Sequence, residues 1–195
     1  MTKTLSPFLR VFMFVFAGWG LIYSLATVSQ WTVSSTDAIT PVGDLPNVAI
    51  ETSDGSQTTF AATNGHVRIA TMFYAHCPGV CPATLATLRQ IDAGLSERQR
   101  SQLRFVLLSL DPARDSPVTL GEFAQGPRWL VGRASEADTR SFASAAHIQY
   151  RTLSDGSIDH SAALVLLDSQ GRVVARAADA DDITEFAAAV RQALE

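Results

Sequence analysis

Residues 73–82 of this chain read FYAHCPGVCP and hold its only two cysteines, Cys77 and Cys81. An apolar, β-prone run (residues 67–74) precedes them, and a helical pattern (residues 83–95) follows. We therefore expect the pair at a strand-to-helix junction, with Cys81 near the start of the helix. The unpaired N–H groups and the dipole of a helix start stabilise a thiolate. A thiolate is both a nucleophile and a soft metal ligand, so the chemistry of the chain is expected here.

Outward from this junction, strands alternate with helices and the chain closes with a hairpin and a helix. Further strands are predicted over residues 48–50, 58–60, 103–110, 129–131, 148–153, 162–167 and 172–177. Helices are predicted over residues 83–95, with Pro82 at the first helical position, and over 117–123, 136–146 and 182–194. This order predicts an α/β domain with a central mixed sheet flanked by helices, and a thioredoxin-like arrangement fits it.

Composition excludes several classes of protein. The chain has 195 residues and a net charge of −4, and its length fits one domain with a short appendage. Lys3 and Arg10 are the only charged side chains among residues 1–36, so the rest of the chain carries −6. A mildly acidic domain without a basic cluster is not expected to bind nucleic acid. Two cysteines cannot hold an iron–sulfur cluster with four thiolates, and their spacing does not suit haem attachment.

The N-terminus predicts a membrane anchor. Residues 11–36 contain no charged side chain, and the apolar stretch over residues 8–28 reaches the ~20 residues that span a bilayer. Positive charge precedes this stretch, which places the rest of the chain outside the cytoplasm. A cleaved signal peptide is the alternative, because residues 24–26 (SLA) resemble a cleavage site. We predict an anchor over residues 1–28 in the inner membrane, a linker over 29–46 and a periplasmic domain over 47–195.

A third ligand would turn the cysteine pair into a site for monovalent copper, because imidazole beside thiolates suits that ion. Of the four histidines, His160 is favoured because the segment SIDHS (residues 157–161) lies at the edge of a predicted strand. His76 adjoins Cys77, but neighbouring side chains usually diverge. His66 and His147 are interpreted as surface residues.

Purely structural explanations of the same residues are also open. Two cysteines in an extracytoplasmic domain most often form a structural disulfide. A lone histidine at a strand edge is more often solvated or packed in the core than bound to a metal. The segments Asp111–Pro112 and 115–117 are explained as a turn and a helix cap. Spacing alone therefore leaves a disulfide, a redox pair and a metal site open.

Three separated blocks of the sequence stand out: HCPGVCPATL (residues 76–85), SLDPARDSP (residues 109–117), and IDHS (residues 158–161) with LLDSQG (residues 166–171). In that order they resemble the signatures H-C-P-x-V-C-P-x-x-L, S-x-D-P-x-R-D-[ST]-P and V-D-H-S…L-x-D-x-x-G. These signatures are those of the Sco/SenC family of copper-handling assembly factors for cytochrome c oxidase. The blocks stand in family order, and the resemblance covers about residues 43–195.

The resemblance implies a thioredoxin-like fold whose motif cysteines and distal histidine bind copper, Cu(I) or also Cu(II). These residues map onto Cys77, Cys81 and His160. It also implies a cytochrome c oxidase subunit or another copper chaperone as partner, with the membrane reached through the N-terminal helix. One residue departs from the family pattern, because relatives commonly have Asp where this chain has Gly79. The change removes a negative charge beside the thiols.

Three functions follow from these observations. The first is a membrane-anchored copper chaperone, which is not an enzyme in the ordinary sense. The second is a thiol–disulfide oxidoreductase in which Cys77 and Cys81 reduce a target's cysteines. Against general disulfide exchange, no proline follows Pro127 to face the cysteines as the cis-proline of thioredoxins does. The third is a redox or copper sensor that acts by binding a partner.

Overall fold

A computed structural model of the chain describes residues 44–178 and 183–195. The predicted anchor (residues 1–28) and all but the last three residues of the predicted linker lie outside these ranges. Within them, no helix has both the length and the apolar character needed to cross a membrane. The described residues belong to one compact unit.

Nine strands and five α-helices make up the described part of the chain. The strands are β1 (Ala49–Thr52), β2 (Gln57–Thr59), β3 (Val67–Phe73), β4 (Leu103–Ser109), β5 (Trp129–Arg133), β6 (Tyr150–Thr152), β7 (Ile158–His160), β8 (Leu164–Leu167) and β9 (Val173–Ala177). The helices are α1 (Val80–Ala93), α2 (Glu97–Gln102), α3 (Pro117–Gly121), α4 (Glu136–Ala145) and α5 (Ile183–Ala193). A short 3₁₀ helix spans Phe60–Thr63.

Seven of the strands form one mixed sheet, in the order β2-β1-β5-β4-β3-β8-β9. Its centre is parallel, with β3 paired to β4 and β4 to β5, whereas β8 runs antiparallel to β3. All seven residues of β3 are buried, as expected for a central strand covered on both faces. The predicted α/β domain with a central mixed sheet is therefore confirmed.

Strands β6 and β7 form a separate two-stranded hairpin. The prediction had one strand over residues 148–153 and missed β7. The first strand starts late because Ile148 belongs to the end of α4, where its N–H donates to the carbonyl of Ala143 at 2.8 Å. His147 adopts a positive φ of 58° in this helix-ending motif. Strand β7 was missed because three residues with one apolar side chain show no recognisable period.

Helix α1 begins earlier than predicted, at Val80 with Gly79 as the preceding cap residue. Pro82 thus occupies the third helical position and not the first. A proline is tolerated there because the N–H groups of the first turn have no partner within the helix. Because α1 starts earlier, Cys81 lies in its first turn and not in the loop before it.

Two other helix starts follow the sequence prediction closely. The side chains of Ser116 and Ser135 cap α3 and α4 by accepting the N–H groups of Thr119 and Asp138. Helix α2 was not predicted. It is six residues long and is held by a capping box at Ser96, where the Gln99 side chain accepts the Ser96 N–H.

Candidate metal centre

Three elements bring the predicted ligands together. Cys77 lies in the loop between β3 and α1, Cys81 in the first turn of α1, and His160 at the end of β7. Their two sulfur atoms and one imidazole nitrogen all lie within 4.8 Å of one another. Nε2 of His160 is 3.8 Å from Sγ of Cys77 and 3.5 Å from Sγ of Cys81. Both cysteines are free thiols.

The main chain fixes which nitrogen of His160 is available. Nδ1 lies 3.0 Å from the carbonyl oxygen of Ser161. Because a carbonyl only accepts, we assign the ring hydrogen to Nδ1, which leaves the lone pair of Nε2 directed at the sulfur atoms. Burial lowers the pKa of His160, while the Ser161 carbonyl and the charge of Asp159 oppose that shift. The net effect favours the neutral imidazole, the form that binds metals.

Cys77 is the more acidic of the two thiols. It is half-buried, and its sulfur accepts the main-chain N–H of Cys81 at 3.3 Å. Burial alone would raise the pKa of Cys77, but the Cys81 thiol and the N–H groups of Cys81, Gly79 and Val80 outweigh it and hold the pKa below its usual range. Gly79 offers no side-chain cap to α1. The Cys77 sulfur therefore serves as an acceptor at the helix start.

Cys81 is the less acidic thiol. Only 2% of its surface is exposed. Burial raises the pKa of Cys81, its hydrogen bond with Cys77 and the charges of Cys77 and Asp115 act in the same direction, and the Tyr74 N–H opposes them. A bound cation would reverse this balance, since a coordinating thiol loses its proton.

Unequal acidity predicts unequal alkylation in the metal-free chain. At pH 7, iodoacetamide should modify Cys77 at least about ten times faster than Cys81, because the thiolate is the reactive form and Cys77 is also the more exposed. Peptide mapping by mass spectrometry over a time course measures both rates. The urea-unfolded chain is the control, in which the two rates should converge. Equal rates in the folded chain would contradict the assignment.

Two side chains near the site were not identified as functional from the sequence. Tyr74 ended a predicted strand, and Asp115 was interpreted as part of a cap. In the structure, Oδ2 of the fully buried Asp115 accepts the hydroxyl of Ser109 at 2.6 Å and the N–H of Ala75 at 3.1 Å. The Tyr74 hydroxyl accepts the N–H of Ile158 at 3.3 Å. No local pattern signals either contact, because the partners of Tyr74 and Ala75 are 84 and 40 residues away.

The other three histidines stay outside the cluster. The His76 side chain is 64% exposed, and its Nδ1 lies 3.6 Å from Oδ1 of Asp115. His147 is exposed and His66 partly exposed, as interpreted from the sequence. A metal site needs three or more His, Cys, Asp or Glu side chains close together. Among the residues that the structure describes, the one such group is Cys77, Cys81 and His160. Two sulfur donors and one imidazole suit a soft cation.

Comparison with known proteins identifies the family of the chain. The SCO1/SenC family model matches residues 49–195. A protein of Stutzerimonas stutzeri described as copper-binding is 32% identical over 104 residues, which cover 50% of this chain and 51% of that protein. The match thus spans about half the length of that relative.

Solved structures show the same fold. ScoI of Arabidopsis thaliana, determined with copper bound, superimposes with a TM-score of 0.65 at 22% identity, covering 77% of this chain and 99% of that one. BsSco, a member of the Sco family of cytochrome c oxidase assembly proteins with an identified disulfide switch, gives 0.63 at 20% identity, covering 80% and 96%. These likenesses confirm the thioredoxin-like fold. With its family match over residues 49–195, the chain belongs to the SCO1/SenC family.

Proposed function

We propose that this protein binds copper through Cys77, Cys81 and His160 and delivers it for the assembly of cytochrome c oxidase. The observation that carries the proposal is the convergence of two sulfur atoms and one imidazole nitrogen within 4.8 Å. Copper-binding relatives and a Sco assembly protein share the fold or part of the sequence. Copper is the cargo of the protein here and not a resident cofactor.

The donor set favours the monovalent ion. Thiolates are soft ligands that select Cu(I), and a neutral imidazole completes the set without adding charge. Two thiolates and one Cu(I) ion carry a net charge of −1. A site with three protein ligands leaves room for a ligand from an acceptor protein. Such a ligand would approach at Cys77, which is half-buried whereas Cys81 is buried. Transfer would then proceed by ligand exchange between proteins.

The place of action is proposed from the sequence of the N-terminus. The uncharged stretch over residues 11–36 supports an anchor in the inner membrane, with residues 47–195 as the domain on the periplasmic side. A copper chaperone is proposed as the donor and a cytochrome c oxidase subunit as the acceptor. An anchored domain of this kind would meet its acceptor at the surface of the same membrane.

A second candidate is reduction of a disulfide in a metal-site target, and the unequal thiols favour it. The Cys77 thiolate would attack one sulfur of the target disulfide and release the other as a thiolate, which takes up a proton. The Cys81 thiol, after losing its proton, would then attack the mixed disulfide and release the second target thiolate. The target gains two electrons, and Cys77 and Cys81 end as a disulfide.

Copper titration of the reduced full chain under anaerobic conditions tests the proposal. We expect one Cu(I) per chain, and we expect His160→Ala to lower the Cu(I) affinity at least about tenfold in competition with a chromophoric chelator, because one of three ligands is lost. His147→Ala is the matched control and should leave the affinity unchanged. Unaltered binding by His160→Ala would refute the triad. Failure to bind copper, with turnover of a disulfide substrate, would establish the second candidate instead.

A further inference from the structure

Tyr74 contacts both the loop that carries Cys77 and the strand that carries His160. It is the residue after β3, three positions before Cys77, and only 2% of its surface is exposed. Its main-chain carbonyl accepts the N–H of Cys77 at 3.2 Å. Its side chain reaches strand β7, where the hydroxyl accepts the N–H of Ile158 at 3.3 Å. Its ring and the imidazole of His160 lie edge to face, with centroids 5.8 Å apart and planes at 73°.

The hairpin that carries His160 has little other main-chain attachment near the cysteines. Strand β7 pairs with β6 alone, and the two strands are not part of the seven-stranded sheet. The large sheet holds the chain only beyond His160, where the Thr71 hydroxyl donates to the carbonyl of Ala163 at 2.9 Å and β8 begins at Leu164, so its ladder alone does not fix the distance between His160 and the two sulfur atoms. That distance depends on contacts made by side chains, and the Tyr74 hydroxyl bonds to the first residue of the strand that ends at His160.

We propose that Tyr74 is a positioning residue, whose hydroxyl holds strand β7 so that Nε2 of His160 faces the sulfur atoms of Cys77 and Cys81. This inference rests on the proposed copper function and deepens it. Tyr74 itself is not a ligand. It acts through His160, by fixing the main chain two residues before the imidazole, while its own main chain holds the N–H of Cys77.

A simple packing role predicts a different outcome on one substitution. Tyr74→Phe keeps the buried ring and its edge-to-face contact with the imidazole and removes only the hydroxyl. If Tyr74 served packing alone, this change would leave the metal site intact. If the hydroxyl positions β7, the N–H of Ile158 loses its acceptor and His160 is held less firmly, since partners that orient a metal ligand typically contribute 10–100-fold in affinity.

The test compares Tyr74→Phe, His160→Ala and the double variant in the reduced full chain, with Cu(I) affinity measured by chelator competition. Tyr74→Phe should weaken binding about tenfold, and the same change should have no effect when His160 is already alanine. Tyr150→Phe is the matched control, because Tyr150 pairs directly with His160 across the hairpin and is partly exposed. It should bind copper as the parent does.

A metal-free measurement gives a second readout. In the copper-free chain, Tyr74→Phe should accelerate hydrogen exchange at the Ile158 amide and shift the ¹⁵N resonances of the His160 ring, and Tyr150→Phe should do neither. Affinity of Tyr74→Phe within twofold of the parent would overturn the inference while leaving the copper function standing. Equal losses with and without His160 would also overturn it, because they indicate a general loss of structure. If the parent binds no copper, the proposed function fails and the exchange data alone decide the positioning role.

Discussion

Replacing Cys81 by serine is expected to lower the Cu(I) affinity by about a thousandfold or more, the largest effect anticipated for any single change. Serine nearly preserves the shape of the side chain but exchanges a soft sulfur donor for a hard hydroxyl, which Cu(I) binds poorly. The remaining sulfur and imidazole would form a two-ligand site without its buried thiolate. Chelator competition on the reduced full chain, over several chelator strengths, measures the change.

The expected cause is loss of a ligand and not loss of the fold. Cys77→Ser should weaken binding in the same direction, since either sulfur is one of three donors within the 4.8 Å cluster. Ala83→Ser, two residues farther along α1, adds a hydroxyl at an exposed position and is the matched control. Its affinity should equal that of the parent. Binding by Cys81→Ser within tenfold of the parent would remove Cys81 from the ligand set.

The sequence predicts the centre of the sheet well because its strands are defined by local pattern. Strands β3 and β4 are almost continuously buried, so their apolar runs stand out at any point of the chain. The serine caps of α3 and α4 are also local, since each cap accepts an N–H three residues ahead. Three separated blocks of residues then indicated the family before any spatial information.

What the sequence does not predict depends on distant partners. The start of α1 was misplaced because Pro82 suits the first helical position by itself, and only the packed helix shows it at the third. Strand β7 exists because Tyr150 lies opposite His160 and gives it a partner. The role of Tyr74 depends on Ile158, 84 residues later. Such contacts follow from the folded topology and leave no periodic trace.

The structure shows the place of Gly79 at the start of α1. It precedes the first helical position of α1 with φ −131° and ψ −76°, and a Cβ built on it would meet nothing within 4 Å. The backbone therefore has space at this position for the Cβ of an aspartate, the residue of the family pattern. Without that carboxylate, the Cys77 sulfur accepts the N–H of Cys81 with no acidic side chain in the first turn of α1 to compete. The helix start thus acts directly on one of the proposed ligands.

Asp115 connects the sheet to the segment that carries the cysteines. Its carboxyl group has no exposed surface, and its Oδ2 accepts hydrogen bonds from the end of β4, at Ser109, and from Ala75 in the loop before Cys77. Its main-chain carbonyl accepts from the guanidinium of Arg133 at 3.2 Å. Asp115 therefore joins two sheet strands and the cysteine loop at one buried point.

Asp115→Ala should lower the free energy of unfolding by about 3 kcal/mol, because it leaves the buried Ser109 hydroxyl and the partly buried Ala75 N–H without an acceptor, each at a cost of about 1–3 kcal/mol. Urea unfolding of the copper-free chain, followed by circular dichroism, measures the loss. Asp115→Asn keeps an acceptor oxygen and should lose less, whereas Glu136→Gln, at an exposed pair with Arg140, should change stability by less than about 0.5 kcal/mol. A loss below 1 kcal/mol for Asp115→Ala would show that the loop before Cys77 is held without this carboxyl group. The ordering of the three variants matters more than any single value, because it separates removal of a buried acceptor from removal of a charge.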